Sequence, residues 1–515
     1  MEHPARNLLT GTLTKYVLLI VNIVTGIFLM PFTMHHLGTA EYGLWMLAAS
    51  MTAYLQLLDL GYGNGLVRQV TQADARGDED AVNEILSTFL VVYSALAVIA
   101  VAAIGALVLL AVPRFPNLSA ADVSTARWVL ILIGGRLALA FPMSVFGAIT
   151  TARQRFALTG WIAIAVSLAQ AAATYIVLRS GHGLVTMVAA TSAIGVVSYI
   201  PYAWAAKHTF PGLRLSPMRF SVRQVREVTA FSVYLFLISI SIHVGTNADN
   251  LIIGAYLGTT SVALYTVALR LADYQRQLCG QFSGLLFPML VRFHEREDLA
   301  ALRVTLIDGT RIALALVTGI TLCLIAFARP LVEHWMGAGF DASILPLYVL
   351  AVLGIVVVAQ GPAGTILLAA GRQRLVAIAA LVDISANVAL SVLLVTRYGL
   401  TGVAVGTAAP YIILNVGIIM PVAVRLVGVP ARAFAAAVCL PTMVATVPAL
   451  LLAVSFRTFL SADSVAAVLG QGAAVGLLYA LTFCAIGLRS ADRERYLRSV
   501  WRHAIDGRRP TTAVL

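Results

Sequence analysis

Residues 259–287 read TTSVALYTVALRLADYQRQLCGQFSGLLF, a run long and apolar enough to cross a bilayer that nevertheless carries Arg270, Asp273 and Arg276. A spanning helix needs about 20 apolar residues, and a charge near its centre costs roughly 2.5 to 3.5 kcal/mol on insertion scales. At about 100° per residue, Thr266, Arg270, Asp273, Tyr274, Gln277, Gln281 and Gly284 fall within one arc of roughly 100°, with Arg276 at its edge and Val, Leu and Phe opposite. Such a helix turns one face to lipid and the other to protein or water. Arg270 and Asp273 also stand at i, i+3, so a structural pair within the helix is the competing reading.

The rest of the chain has the same character. Of its 515 residues, 60% are hydrophobic and 11% charged, where soluble proteins carry about a quarter charged residues. This is the composition of an all-α polytopic membrane protein. The first residues, MEHPARNLLTGTLTK, run straight into an apolar stretch without a small-residue cleavage site, which predicts a first spanning helix and not a removable signal peptide. Cys279, Cys323, Cys439 and Cys484 lie in apolar runs without CxxC or Cys/His spacing, so neither a disulfide nor a metal is expected. The net charge of +12 does not point to nucleic acid, because the basic residues flank the apolar spans.

Apolar windows predict about fourteen transmembrane helices: 12–33, 40–62, 85–112, 127–150, 157–178, 183–205, 227–256, 259–289, 306–328, 344–370, 375–396, 400–424, 433–455 and 463–487. With both termini in the cytoplasm, 26 of the 35 basic residues fall on inner segments, six on outer ones, and Arg136, Arg270 and Arg276 within spans. The expected organisation is an N-lobe at 1–206, a basic cytoplasmic linker at 207–226 lying against anionic headgroups, a C-lobe at 227–428, and two extra C-terminal helices at 429–488. A basic amphipathic tail at 489–515 follows. A repeat supports the two lobes. Leu37-Gly38-Thr39 returns as Leu257-Gly258-Thr259, Pro142 as Pro362, Arg153-Gln154-Arg155 as Arg372-Gln373-Arg374, and Gly181 as Gly399, at offsets of 220 to 218. Six spans per copy is an even number, which gives parallel repeats.

Transporters built from two such halves bind cargo near the midplane. Arg136 and Arg270 each sit about nine or ten residues in from the outer end of a span, roughly 14 Å deep at 1.5 Å per residue. Two guanidinium groups at matched depth suit bidentate capture of a phosphate. Arg276, Tyr274, Gln277 and Gln281 join them as cavity candidates, while a lone Arg136 satisfied within its own bundle is the duller alternative. Asp273 and Asp383 are candidate coupling-ion sites, or partners for an arginine. The polar stretch Gly245-Thr246-Asn247-Ala248-Asp249-Asn250 is expected to interrupt the seventh helix, making His243, Asn247, Asp249 and Asn250, with Asn387, gate or pathway candidates. Asp59 is positioned to cap the turn before Gly61-Tyr62-Gly63. No P-loop, GxSxG or HExxH is present, so an enzyme is not expected.

The segment Leu37-Gly38 with Glu41-Tyr42-Gly43-Leu44-Trp45, then Leu58-Asp59-Leu60-Gly61, Arg68 and Ala75-Arg76-Gly77-Asp78, resembles Wzx-type polysaccharide-export proteins. These are lipid-linked oligosaccharide flippases of the multidrug/oligosaccharidyl-lipid/polysaccharide flippase superfamily. The resemblance implies a V-shaped pair of six-helix lobes in a bacterial cytoplasmic membrane that rock about a cationic cavity. It also implies an oligosaccharide on undecaprenyl pyrophosphate as cargo, no cofactor, and the pathway's polymerase and glycosyltransferases as partners. The competing reading, a multidrug and toxin extrusion antiporter, calls for a deep carboxylate in the first span, which has none.

Overall fold

A computed structural model describes residues 4–460 and 462–486, and the side chains there other than those of 4–9, 12, 230–235, 237, 238, 242, 246 and 281–288. The amphipathic tail expected over 489–515, and the side chain of Gln281, lie outside what is described. The described chain is helical throughout and holds no strand.

Contacts divide it into two compact units, Met1–Tyr274 with Gln373–Leu414, and Gln275–Arg372 with Asn415–Leu515. In chain order the helices are α1 (Pro4–Ala53), α2 (Tyr62–Ala75), α3 (Glu79–Ala106), α4 (Ala120–Ala152), α5 (Phe156–Arg179), α6 (Leu184–Val197), α7 (Tyr199–Thr209) and α8 (Val222–Leu257). They continue as α9 (Thr259–Glu295), α10 (Leu299–Met336), α11 (Ile344–Ala359), α12 (Gly361–Ala369), α13 (Gln373–Leu414), α14 (Met420–Leu426), α15 (Ala431–Phe459) and α16 (Val465–Ile486). In the first unit α1 packs on α5, α3 on α4 and α13 on α8. Its core runs from Leu44 and Leu47 through Phe89, Tyr93 and Leu130 to Val228. In the second unit α10, α15 and α16 pack together around Ala445, Ala449, Val475 and Tyr479.

Ten stretches among the described residues are long and apolar enough to cross a membrane. Two of them, Leu13–Asp59 and Gln373–Leu426, run 47 and 54 residues, about twice what one crossing needs. Each is broken by a glycine outside helical space, Gly38 at φ 80° and Gly399 at φ 55°, conformations that cost an L-residue's Cβ dearly.

The break after α1 is built locally. Tyr54–Asp59 tightens into a 3₁₀ turn, and Leu60 and Gly61 both take positive φ. Asp59 then accepts from the Gly63 amide at 3.3 Å and from the Tyr93 hydroxyl at 2.8 Å, anchoring the turn to α3. At the far end of α2 Arg153 grips Asp74 through Nε and Nη2, at 3.0 and 2.7 Å, and donates from Nη1 to the Thr209 carbonyl at 2.7 Å. Its guanidinium also lies over the Phe210 ring.

The segment after α7 is held along α3. Asn83 donates to the Gly212 carbonyl at 3.0 Å and accepts from the Arg214 amide at 2.7 Å. Ser87 accepts from the Ser216 amide, and Thr88 accepts from the Ser221 amide, both at 3.1 Å. Positions 83 and 87 stand one turn apart on one face and 88 lies to its side, so short polar side chains of α3 take up the backbone groups of the extended segment. Replacing Asn83 by alanine strands these partners in a site where Asn83 is only 3% exposed. A loss of about 2 kcal/mol is expected in reversible unfolding of the detergent-solubilised protein. An unchanged midpoint would mean that the strip is held by other contacts.

Candidate functional site

Arg136 lies at the middle of α4 and is exposed to a cavity of about 460 Å³ walled by α1, α4, α5, α6 and α7. Asn22, Ser167, Gln170, Tyr199 and Tyr202 share that wall. The guanidinium has room because α6 presents Gly195, where an added Cβ would fall 2.8 Å from Arg136 Cζ, far inside contact distance. Ser167 donates to Asn22 Oδ1 at 2.7 Å, Gln170 donates to the Thr191 carbonyl at 3.1 Å, and Tyr199 donates to the Arg136 carbonyl at 3.0 Å. Arg136 forms no ion pair with a described residue. A permanently charged fork among hydroxyls and amides, with no carboxylate lining the space, is a chemistry for anions.

Arg270 is likewise exposed on α9 and paired with no described carboxylate. Its charge acts on the Tyr42 and Tyr274 hydroxyls. Tyr274 reaches α1 at Gly26, where any Cβ would overlap its hydroxyl. The same two helices touch at Gly43, where an added Cβ would overlap the Thr259 carbonyl and stand 3.3 Å from the Ala263 nitrogen. Asp273 and Arg276 are half-buried and each engages another residue, and Gln277 is exposed. The glutamine buried on α9 is Gln275, at 1% exposure, which donates to the Ala351 carbonyl at 3.2 Å and also to Thr321. The polar arc drawn from sequence passed it by, since it stands nearly opposite Gln277.

The expected interruption at 245–250 is absent: α8 runs unbroken from Val222 to Leu257. Several of its polar side chains find partners along the same helix or on neighbouring ones instead. Asn247 donates to the His243 carbonyl at 2.8 Å, and Asn250 donates to Ser50 Oγ at 2.9 Å. Asp249, 3% exposed, accepts from the Tyr265 hydroxyl at 2.6 Å and from Thr407 Oγ1 at 2.9 Å to each carboxylate oxygen. On α13, Ser391 donates to the Val403 carbonyl at 3.4 Å across the Gly399 kink. Asn387 Oδ1 and Asp383 Oδ1, one turn apart, are buried without a hydrogen-bond partner. Buried carbonyl and carboxylate oxygens without donors are uncommon in native proteins.

Three comparisons bear on this architecture. The family model described as polysaccharide biosynthesis protein matches residues 10–294, more than half of the chain. The chain is similar to the membrane protein EpsK of Bacillus subtilis (strain 168), 23% identical over 504 residues that cover 95% of this chain and 96% of that one. Its fold is similar to that of the lipid II flippase MurJ in an inward closed conformation, with TM-score 0.70 and 14% identity over 92% of this chain and 98% of the other. It is also similar to an inward-facing multidrug resistance MATE family transporter of the MOP superfamily, with TM-score 0.64 and 14% identity over 81% and 95%. The resemblance read from the Leu37 to Asp78 motifs is thereby borne out at the level of family and fold, and the chain belongs to the polysaccharide biosynthesis protein family.

Proposed function

We propose that the chain flips an oligosaccharide linked to undecaprenyl pyrophosphate from the inner to the outer leaflet of the cytoplasmic membrane by alternating access. The observation that carries this reading is the pair Arg136 and Arg270, deep in α4 and α9 and each exposed without a carboxylate partner among the described residues. A guanidinium left unpaired at such depth is costly unless a ligand supplies the anion. Pyrophosphate does so bidentately at each fork. Arg276, Tyr274, Gln277 and Gln281 remain the other residues of α9 proposed to meet the cargo. Solved structures of similar fold include a lipid II flippase and a multidrug transporter, which supports this role.

The fourteen-span, two-lobe arrangement is part of the proposal, and local geometry supports it. Gly38 and Gly258, 220 residues apart, adopt φ/ψ of 80°/163° and 84°/174°. Asp78 and Asp298, at the same offset, each cap a helix by accepting an amide three residues on at 2.9 Å. Two matched details of backbone and cap are what a duplicated unit leaves behind. Splitting the long spans at Gly38 and Gly399 and adding α8 and α9 brings the ten apolar stretches to fourteen. The distribution of basic residues supports an orientation with both ends in the cytoplasm.

The coupling ion is assigned to the buried oxygens of α8 and α13, namely Asp249 with its donor Thr407, Asn387 and Asp383, with Asp273 as the outlying candidate. Asp249→Asn keeps the shape and the Tyr265 bond while removing the charge. Flux in proteoliposomes carrying a sodium or proton gradient is expected to lose its gradient dependence in that variant and to keep it in Asn247→Ala. Gradient-dependent flux that survives Asp249→Asn would remove the cluster from the mechanism. The function itself is tested by reconstituting the purified chain with a pyrophosphate-linked saccharide lipid and following its arrival in the opposite leaflet. Absence of transfer, with extrusion of a cationic drug in its place, would favour an antiporter.

A further inference from the structure

The cavity walled by α1, α4, α5, α6 and α7 offers more than the Arg136 fork. Asn22 accepts from Ser167 through Oδ1, and its Nδ2 has no partner among the described residues. Gln170 donates to the Thr191 carbonyl, and its Oε1 has no partner among them either. On α7 the Tyr199 hydroxyl is engaged by the Arg136 carbonyl, while that of Tyr202, one turn on, bonds to no described residue. The open groups are therefore mixed: amide hydrogens to donate at Asn22, a carbonyl oxygen to accept at Gln170, and a hydroxyl that does either at Tyr202. Leu18, Ala163 and Val166 add apolar wall.

Anionic phosphate oxygens only accept hydrogen bonds, so a bare pyrophosphate uses the fork and gives the Gln170 oxygen nothing to accept. A sugar ring both donates and accepts through its hydroxyls, and its C–H faces suit aromatic and aliphatic walls. Size agrees. At water's share of about 30 Å³ per molecule, 460 Å³ holds about fifteen non-hydrogen atoms. That is one pyranose ring with one phosphate, well short of an oligosaccharide. In a glycosyl pyrophosphate the first sugar is bonded to phosphate, so a fork that holds this phosphate sets the ring among the neutral groups of the same wall.

We propose that this cavity is the subsite for the sugar bonded directly to the pyrophosphate, with Arg136 on the adjoining phosphate and Asn22, Gln170 and Tyr202 reading the hydroxyls of the ring. The assignment rests on the flippase function proposed above and names the part of the cargo that is selected. Purified full-length protein in detergent is titrated with undecaprenyl pyrophosphate and with undecaprenyl-pyrophosphoryl monosaccharides carrying glucose, galactose, N-acetylglucosamine or N-acetylgalactosamine. At least one monosaccharide lipid should bind about tenfold or more tightly than the sugar-free lipid, the size of two or three hydrogen bonds. Asn22→Ala, Gln170→Ala and Tyr202→Phe should each lower the ratio of sugared to sugar-free affinity by about threefold to tenfold, the size of one such bond. The ratio is the readout because a merely structural defect weakens both lipids together. Tyr202→Phe, which removes one oxygen and keeps the ring, carries the decision where an alanine variant folds poorly. Sugar-free lipid bound as tightly as every monosaccharide lipid, or an unchanged ratio in the folded variants, would overturn the subsite and leave the flippase function standing. Protein that binds none of these lipids would overturn both.

Discussion

Replacing Arg270 by alanine is expected to lower saccharide-lipid translocation about a hundredfold in protein that inserts and folds normally. A charge-assisted bidentate pair contributes about 1.5 to 3 kcal/mol, and each 1.4 kcal/mol is a factor of ten. Arg270→Lys keeps the charge without the fork and should fall between the two. Arg136→Ala should act with similar size, and the double variant should lose less than the product of the single losses if both groups hold one pyrophosphate. The environment of Arg136 supplies an independent handle. A leucine at Gly195 would occupy the space now filled by the guanidinium, so Gly195→Leu should reproduce Arg136→Ala with every charge in place. Full flux in Gly195→Leu, with Arg136→Ala inactive, would mean that the position of the arginine does not matter and that only its charge does.

The second large effect is expected at Gly43. A Cβ there would stand 2.6 Å from the Thr259 carbonyl carbon, where ordinary contact begins at about 3.5 Å. The obstructing atoms are backbone, which cannot rotate away. Gly43→Val must therefore part α1 from α9 by about an ångström or more, and flux should drop close to background while expression is retained. Spin labels at the exposed positions Ala40 and Thr260, in a background freed of native cysteines, should report a longer distance than in the parent. Normal flux with an unchanged distance would show that this close approach is incidental to the transport cycle.

How much of this was legible beforehand depended on whether the relevant forces were local. Apolar runs and the offset between Gly38 and Gly258 are local, and each appears in the structure as the sequence suggests. Asp59 also meets its turn at Gly63. The polar stretch 245–250 misled because its partners are remote: Ser50 lies 200 residues before Asn250, and Thr407 lies 158 after Asp249. A helix survives polar side chains when others supply their hydrogen bonds, and no window of sequence reveals that supply. The bond between Asp249 and Thr407 was missed for the same reason, although Asp249 itself was visible. Gln275 was overlooked because a helical wheel separates faces without saying which face another helix will cover. Gly195 gave no signal at all, since its role is to leave space for a side chain 59 positions earlier.

The most direct test is the equilibrium binding of an undecaprenyl-pyrophosphate saccharide to the purified chain, compared with Arg136→Ala and Arg270→Ala. Each variant should bind about a hundredfold more weakly than the parent, with the corresponding lysine variants in between. Binding of undiminished strength in folded protein lacking either guanidinium would contradict the account at its centre.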